Sequence, residues 1–157
     1  MTCQKASSLM LSQHILSPSD FLEQPEADAR GRIWVSRAPV PSELGPFSVE
    51  ITGVLDDEVV STANEALGLL VKDRQAILNW VYGLYTRAAE DRRWMKTHGV
   101  PRDLSRGEVL DYISDRFVVV RRASDGRASG SISIRVRWDD EHSIRFGVRS
   151  GRLVFES

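Results

Sequence analysis

Four consecutive residues near the C-terminus, Asp139, Asp140, Glu141 and His142, gather three carboxylates and an imidazole. These are the groups that hold divalent ions or move protons. Neighbours in a turn project in different directions, however, so few of them can meet at one ion without ligands from elsewhere. The other histidines, His14 and His98, sit in unrelated contexts. The plainer expectation is a tight turn over Asp139 to His142 in which Asp139 or Asp140 accepts hydrogen bonds from backbone donors, with Trp138 closing the core beside it. The chain carries no Gly-rich phosphate loop, Ser or Cys nucleophile motif or metalloprotease helix, which points away from an enzyme and from any metal or cofactor.

A second group is cationic. Arg135 and Arg137 fall on one predicted strand and Arg145 and Arg149 on the next, with Arg121 and Arg122 nearby. Guanidinium forks on a sheet clamp carboxylates or phosphates, which makes nucleic acid a candidate ligand. Against it, the expected registry puts Phe117, Trp138, Phe146 and Phe155 in the buried set, whereas an RNA-reading sheet exposes its aromatics. The opposing charges are Asp56, Asp57 and Glu58 at the start of a predicted helix, together with Asp20, Glu23, Glu26 and Asp28 in the lead-in. Residues 1–115 carry 12 Lys+Arg against 17 Asp+Glu, and residues 116–157 carry 9 against 5. Two oppositely charged halves suit charged partners, although a solvated arginine face would look the same. Asp56, Asp57 and Glu58 on one side, and Arg135, Arg137 and Arg145 on the other, are therefore the candidate partner-binding residues.

The elements that must position these groups follow from periodicity. Residues 1–30 carry no sustained pattern and read as a loose lead-in, and residues 31–157 read as a single domain. Ile33 and Val35 alternate against Arg32, Trp34 and Ser36, and Phe47, Val49 and Ile51 give a second short strand after Pro39, Pro41, Gly45 and Pro46. From Asp56 the period becomes helical, through Val59, Val60, Ala63, Ala66, Leu67, Leu70 and Val71. A second helix is expected from about Asp73 to Lys96, with an apolar stripe of Ile77, Leu78, Val81, Leu84, Tyr85 and Ala88. Trp80 and Tyr82 lie off that stripe, free to meet a second layer or a partner. Ser105 and Glu108 have capping-box spacing before a short third helix. The remainder reads as a four-strand meander: Phe117 to Arg121, then Ile132, Ile134, Val136 and Trp138, then Ile144, Phe146 and Val148, then Leu153 to Phe155. Helices on one face of a mostly antiparallel sheet make an α+β fold.

With 157 residues, 41% hydrophobic and 27% charged, one core of ordinary size is expected. The single cysteine, Cys3, excludes an intrachain disulfide. Ser12, Gln13 and His14 interrupt the apolar start before it reaches the length of a secretory core, and no run approaches a membrane span. A cytoplasmic location and no membrane partner are the expectation.

The segment from Ile132 to Phe155, ISIRVRWDDEHSIRFGVRSGRLVF, resembles the end of a family of small bacterial domains marked by a strand, Trp-Asp-x-Glu-His-Gly, a strand and a Gly-containing turn into a last strand. Trp138, Asp139, Glu141 and His142 match that motif position by position, and Ser143 replaces its glycine. Relatives with this ending are found as immunity proteins of polymorphic toxin systems. The resemblance implies a non-catalytic inhibitor whose partner is a cognate toxin. The alternative is a nucleic-acid-binding or regulatory module using the arginine face.

Overall fold

The structure is a computed structural model that describes residues 15–25 and 31–156. Seven strands form one sheet in chain order: β1 (Phe21–Glu23), β2 (Ile33–Ser36), β3 (Ser48–Thr52), β4 (Ile113–Arg122), β5 (Ala128–Val136), β6 (Asp139–Arg149) and β7 (Arg152–Glu156). All neighbours are antiparallel except β3 and β4, which run parallel, Val49 beside Val118 and Ile51 beside Val120. A parallel pair needs a long crossover. That crossover holds three helices, α1 (Asp57–Lys72), α2 (Arg74–Ala88) and α3 (Arg92–Thr97), and a 3-10 turn at Glu108–Tyr112. The architecture is α+β, with β4 to β7 as the C-terminal meander.

Helix α1 begins where the sequence sets a cap. The Asp56 side chain accepts from the Val59 N–H at 3.1 Å, and Asp57 and Glu58 occupy the positive end of the helix dipole. Its buried stripe, which includes Val59, Ala63, Ala66 and Leu70, lies across β4 and β5. Gly130 makes that approach possible, because a Cβ there would sit 3.2 Å from the Thr62 methyl of α1. The core then runs through Val49, Ile51, Val118, Val120, Ile132 and Ile134, all essentially without solvent contact.

Several local expectations change. The long helix expected from Asp73 to Lys96 is broken, because the Asp91 side chain captures the Trp94 N–H at 2.9 Å and starts α3. Arg102 Nε donates to the freed Ala89 carbonyl at 2.6 Å, satisfying the end of α2. The Ser105–Glu108 box does form, with reciprocal bonds of 3.1 and 3.3 Å, but only a 3-10 turn follows because β4 starts at Ile113. The lead-in is not wholly loose, since Phe21–Glu23 pairs with β2 and both Leu16 and Phe21 are buried. In β2 it is Trp34, paired with Ile51, that packs on the core, which leaves Ile33 and Val35 on the other face. Cys3, His14, Glu26 and Asp28 lie outside the described residues.

In the meander, Ile132, Ile134, Val136, Trp138, Ile144 and Phe146 are buried while Arg135, Arg137 and Arg145 are exposed, so the expected registry holds; Val148 is half-buried. The helix facing the central strands is α1 rather than the one bearing Ile77, Leu78, Val81 and Leu84. From α2, Ile77, Val81 and Tyr85 are buried and Leu78 and Leu84 only partly so. The turn also moves: Arg137 and Trp138 form it, and Asp139 already opens β6 opposite Val136. Between β6 and β7, Ser150 and Gly151 have φ of 51° and 70°, the left-handed pair that a two-residue hairpin requires.

Trp138 is 3% exposed, and its ring meets the Tyr85 ring edge-on at 5.4 Å. Trp138→Ala is expected to cost about 3–5 kcal/mol of unfolding free energy, read from urea denaturation. A loss below about 1 kcal/mol would show that the core beside the turn does not depend on this ring.

Candidate protein-binding site

An open cleft of about 500 Å³ lies where α2 and α3 meet the ends of β5, β6 and β7. Leu84, Ala88, Val136, Trp138 and Ile144 form its apolar lining, Trp94 and Phe155 stand at its margins, and Asp139, Glu141 and His142 supply a polar rim. Two of these rim groups are tied together: Asp139 Oδ1 accepts from the His142 N–H at 3.1 Å and lies 3.0 Å from His142 Nδ1. The carboxylate therefore closes the chain excursion made by Asp140, Glu141 and His142, which have no partners on β5 between the Val136–Asp139 and Arg135–Ser143 pairs. That is the turn-stabilising role expected of Asp139. Glu141 points to the rim and is exposed, and Asp140 reaches His98 Nε2 at 3.7 Å. Among the described residues no three His, Cys, Asp or Glu side chains come together as a metal-holding group.

The cleft margins are aromatic and held rigid. Trp94 donates its indole N–H to the Trp138 carbonyl at 2.6 Å and packs its ring against His98 at 4.2 Å, yet remains 41% exposed. Trp80 stacks on Phe155 at 4.2 Å, and Phe155 meets the buried Phe146 edge-on at 5.9 Å. Trp80 and Phe155 keep 39% and 36% of their surface in solvent. Two large aromatics exposed at the margin of one apolar depression, with a third packed on one of them, are uncommon on a surface that has no partner to meet. Trp80 was legible as lying off the stripe of its helix. Trp94 and Phe155 were not, because periodicity assigned one to a longer helix and the other to the core.

The charged candidates separate into different places. Arg122 pairs with Asp56 and, at 2.9 Å, with Glu58, whose other oxygen accepts from the Ala128 N–H at 3.2 Å. Two of the three acidic candidates thus fasten α1 to the β4–β5 hairpin, and Asp57 stays exposed. Arg137 sits over the Tyr112 ring at 5.7 Å, at the turn. Arg135 and Arg145 share the sheet face that no helix covers, Arg135 opposite Ser143 and Arg145 opposite Ser133. Arg121 lies on that face too, and so does Phe117, beside Ser133 and Ser48 rather than in the buried set.

No family model, no curated protein and no solved structure matches this chain.

The Glu58 carboxyl is held below the ordinary glutamate pKa, first by its hydrogen bond from Arg122 and next by the Ala128 N–H. A lowered folded-state pKa means that the cluster stabilises the fold above the ordinary glutamate value, and that this stabilisation is lost as pH falls through the lower folded value. Glu58→Gln is expected to lower the urea midpoint at neutral pH, with the gap to wild type closing in acid. A gap that stays constant into strong acid would assign the effect to packing rather than charge.

Proposed function

We propose that this protein is an immunity-type inhibitor: it binds one cognate bacterial toxin and neutralises it by direct contact, without catalysis. The observation that carries this reading is the apolar cleft flanked by Trp94 and Phe155, with the exposed Trp80 packed on Phe155, next to the Trp138-Asp139-Asp140-Glu141-His142 segment. Binding energy in protein interfaces concentrates in aromatic anchors that stand in pockets and lose little entropy on binding, and all three rings are already braced by neighbours. The resemblance of the Ile132 to Phe155 segment to immunity domains supplies the class of partner. No helix among the described residues is long and apolar enough to cross a membrane, which accords with action in the cytoplasm.

A second reading, a nucleic-acid-binding module, draws on the uncovered face where Arg121, Arg135, Arg145 and Phe117 stand together. Salt separates the two: phosphate contacts release counterions and weaken steeply as salt rises, and a buried apolar interface does not.

The test is to look for a toxin gene beside this one and to measure survival and binding with its product. Deleting this gene is expected to kill a strain that carries the active toxin, and unchanged survival would end the immunity reading. Trp80→Ala and Phe155→Ala are each expected to weaken toxin binding by about 2 kcal/mol, roughly thirtyfold, chiefly through faster dissociation. Glu141→Lys on the rim should act mainly on association. Surface plasmon resonance separates the two rates, and urea unfolding of each variant checks that the fold is intact.

A further inference from the structure

On the sheet face opposite the helices, β4, β5 and β6 enclose a second, polar hollow of about 190 Å³. Its floor carries Ser129, Ser131 and Ser133 of β5. The register places Arg121 across from Ser129 on one side and Arg145 across from Ser133 on the other, so the two arginines stand diagonally on either side of Ser131 and both line the hollow. Among the described residues neither arginine has a carboxylate within ion-pair distance. The Nε of Arg121 is enclosed by protein and, among the described residues, has no hydrogen-bond partner. A charged donor shielded from water and left without an acceptor is costly, and an anion seated against the same guanidinium group offsets that cost.

Glu156 sets the charge that the hollow accepts. Its carboxylate lies over Gly147, where a Cβ would collide with it, and Arg149 Nη2 is 3.8 Å away at the margin. Arg149 offsets part of the Glu156 charge, so the hollow stays net positive, and with the Glu156 carboxylate at its edge a monoanion meets less repulsion than a dianion. We propose that this hollow binds one carboxylate, with Arg121 and Arg145 as its ion-pair partners and the serine hydroxyls as further donors. Planar guanidinium forks match the two oxygens of that group, whether an acidic side chain or a free carboxylic acid presents it.

The enclosed Arg121 Nε–H gives a direct probe by 1H–15N NMR of the full chain. Acetate, added at constant ionic strength, is expected to displace that signal saturably, with a dissociation constant on the order of 1–10 mM. Arg145→Gln should weaken acetate about tenfold. In Arg121→Lys, followed through the Ser131 amide, affinity should fall as well, since a point charge replaces the fork. Spectra that are otherwise unchanged will show that both variants fold. A short peptide with one internal glutamate that binds more tightly than acetate assigns the carboxylate to a protein partner, and equal affinity assigns it to a free acid. No saturable displacement, inorganic phosphate binding more tightly than acetate, or unchanged affinity in both variants would overturn the proposal.

Discussion

The pairing of β3 with β4 governs the rest of the molecule. It is the one parallel junction in the sheet, and it sits where Val49, Ile51, Val118 and Val120 are wholly buried. Antiparallel neighbours can be joined by two residues, but this junction must be joined by a crossover that leaves one end of the sheet and returns to the other. The segment between Thr52 and Ile113 does so with all three helices on one face. Everything polar about the opposite face follows, because no element of the described chain covers it. The serine ladder of β5 and the exposed Arg135 and Arg145 are tolerated there since water can reach them.

A crossover of this length brings irregular backbone to the core, and polar cross-ties secure it. Arg116 reaches from β4 to the Leu44 carbonyl at 2.7 Å and the Leu110 carbonyl at 2.8 Å, joining the loop before β3 to the 3-10 turn before β4. Burial lowers its pKa, and Gly45, at φ 104°, leaves the space its head group fills. Tyr85 does the same for the return path: its hydroxyl donates to the Pro101 carbonyl at 2.6 Å and accepts from the Leu104 N–H at 2.9 Å. Apart from the Leu110 carbonyl, which the Ile113 N–H also uses, each tie satisfies carbonyls or N–H groups of irregular backbone, which is the condition for burying a loop at all.

The parts of this arrangement legible in the sequence were those with one dominant period. The Ile132 to Phe146 alternation and the Val59 to Leu70 stripe each have a single buried solution, so their faces could be assigned without knowing their neighbours. The acidic helix start at Asp56 to Glu58 and the Ser105–Glu108 box were legible because the interactions involved are local, although the capping bond of Asp56 itself was not anticipated. Where two signals competed, tertiary context decided. The expected helix ran on past Ala88 to Lys96, but the Asp91 cap started a new one instead. In β2 both faces were apolar, and the larger Trp34 took the core, with its indole N–H donating to the Gly53 carbonyl at 3.1 Å. Both candidate surfaces depended on register between distant strands. Arg121 and Arg145 are 24 residues apart and meet only through β5, and nothing in their local spacing marks them as a pair.

The Trp138 to His142 segment was the most conspicuous feature of the sequence, and its structural role differs from that of a contact surface. The Trp138 ring is in the core against Tyr85, its carbonyl fixes the Trp94 indole, and Asp139 is occupied with His142. Only Glu141 and His142 leave much of themselves to solvent at the cleft. The segment therefore acts as a bracket: it anchors the end of the β5–β6 hairpin to α2 and α3, and so sets the spacing between Trp94 on one margin and Phe155 on the other. The residues that fix the cleft's width are held by the fold, whereas the exposed rings and rim charges around it carry no such structural duty. A segment so placed shapes the cleft without itself offering much contact surface, and under the proposed inhibitor role partner choice would rest with Trp80, Trp94, Phe155 and the charges that surround them.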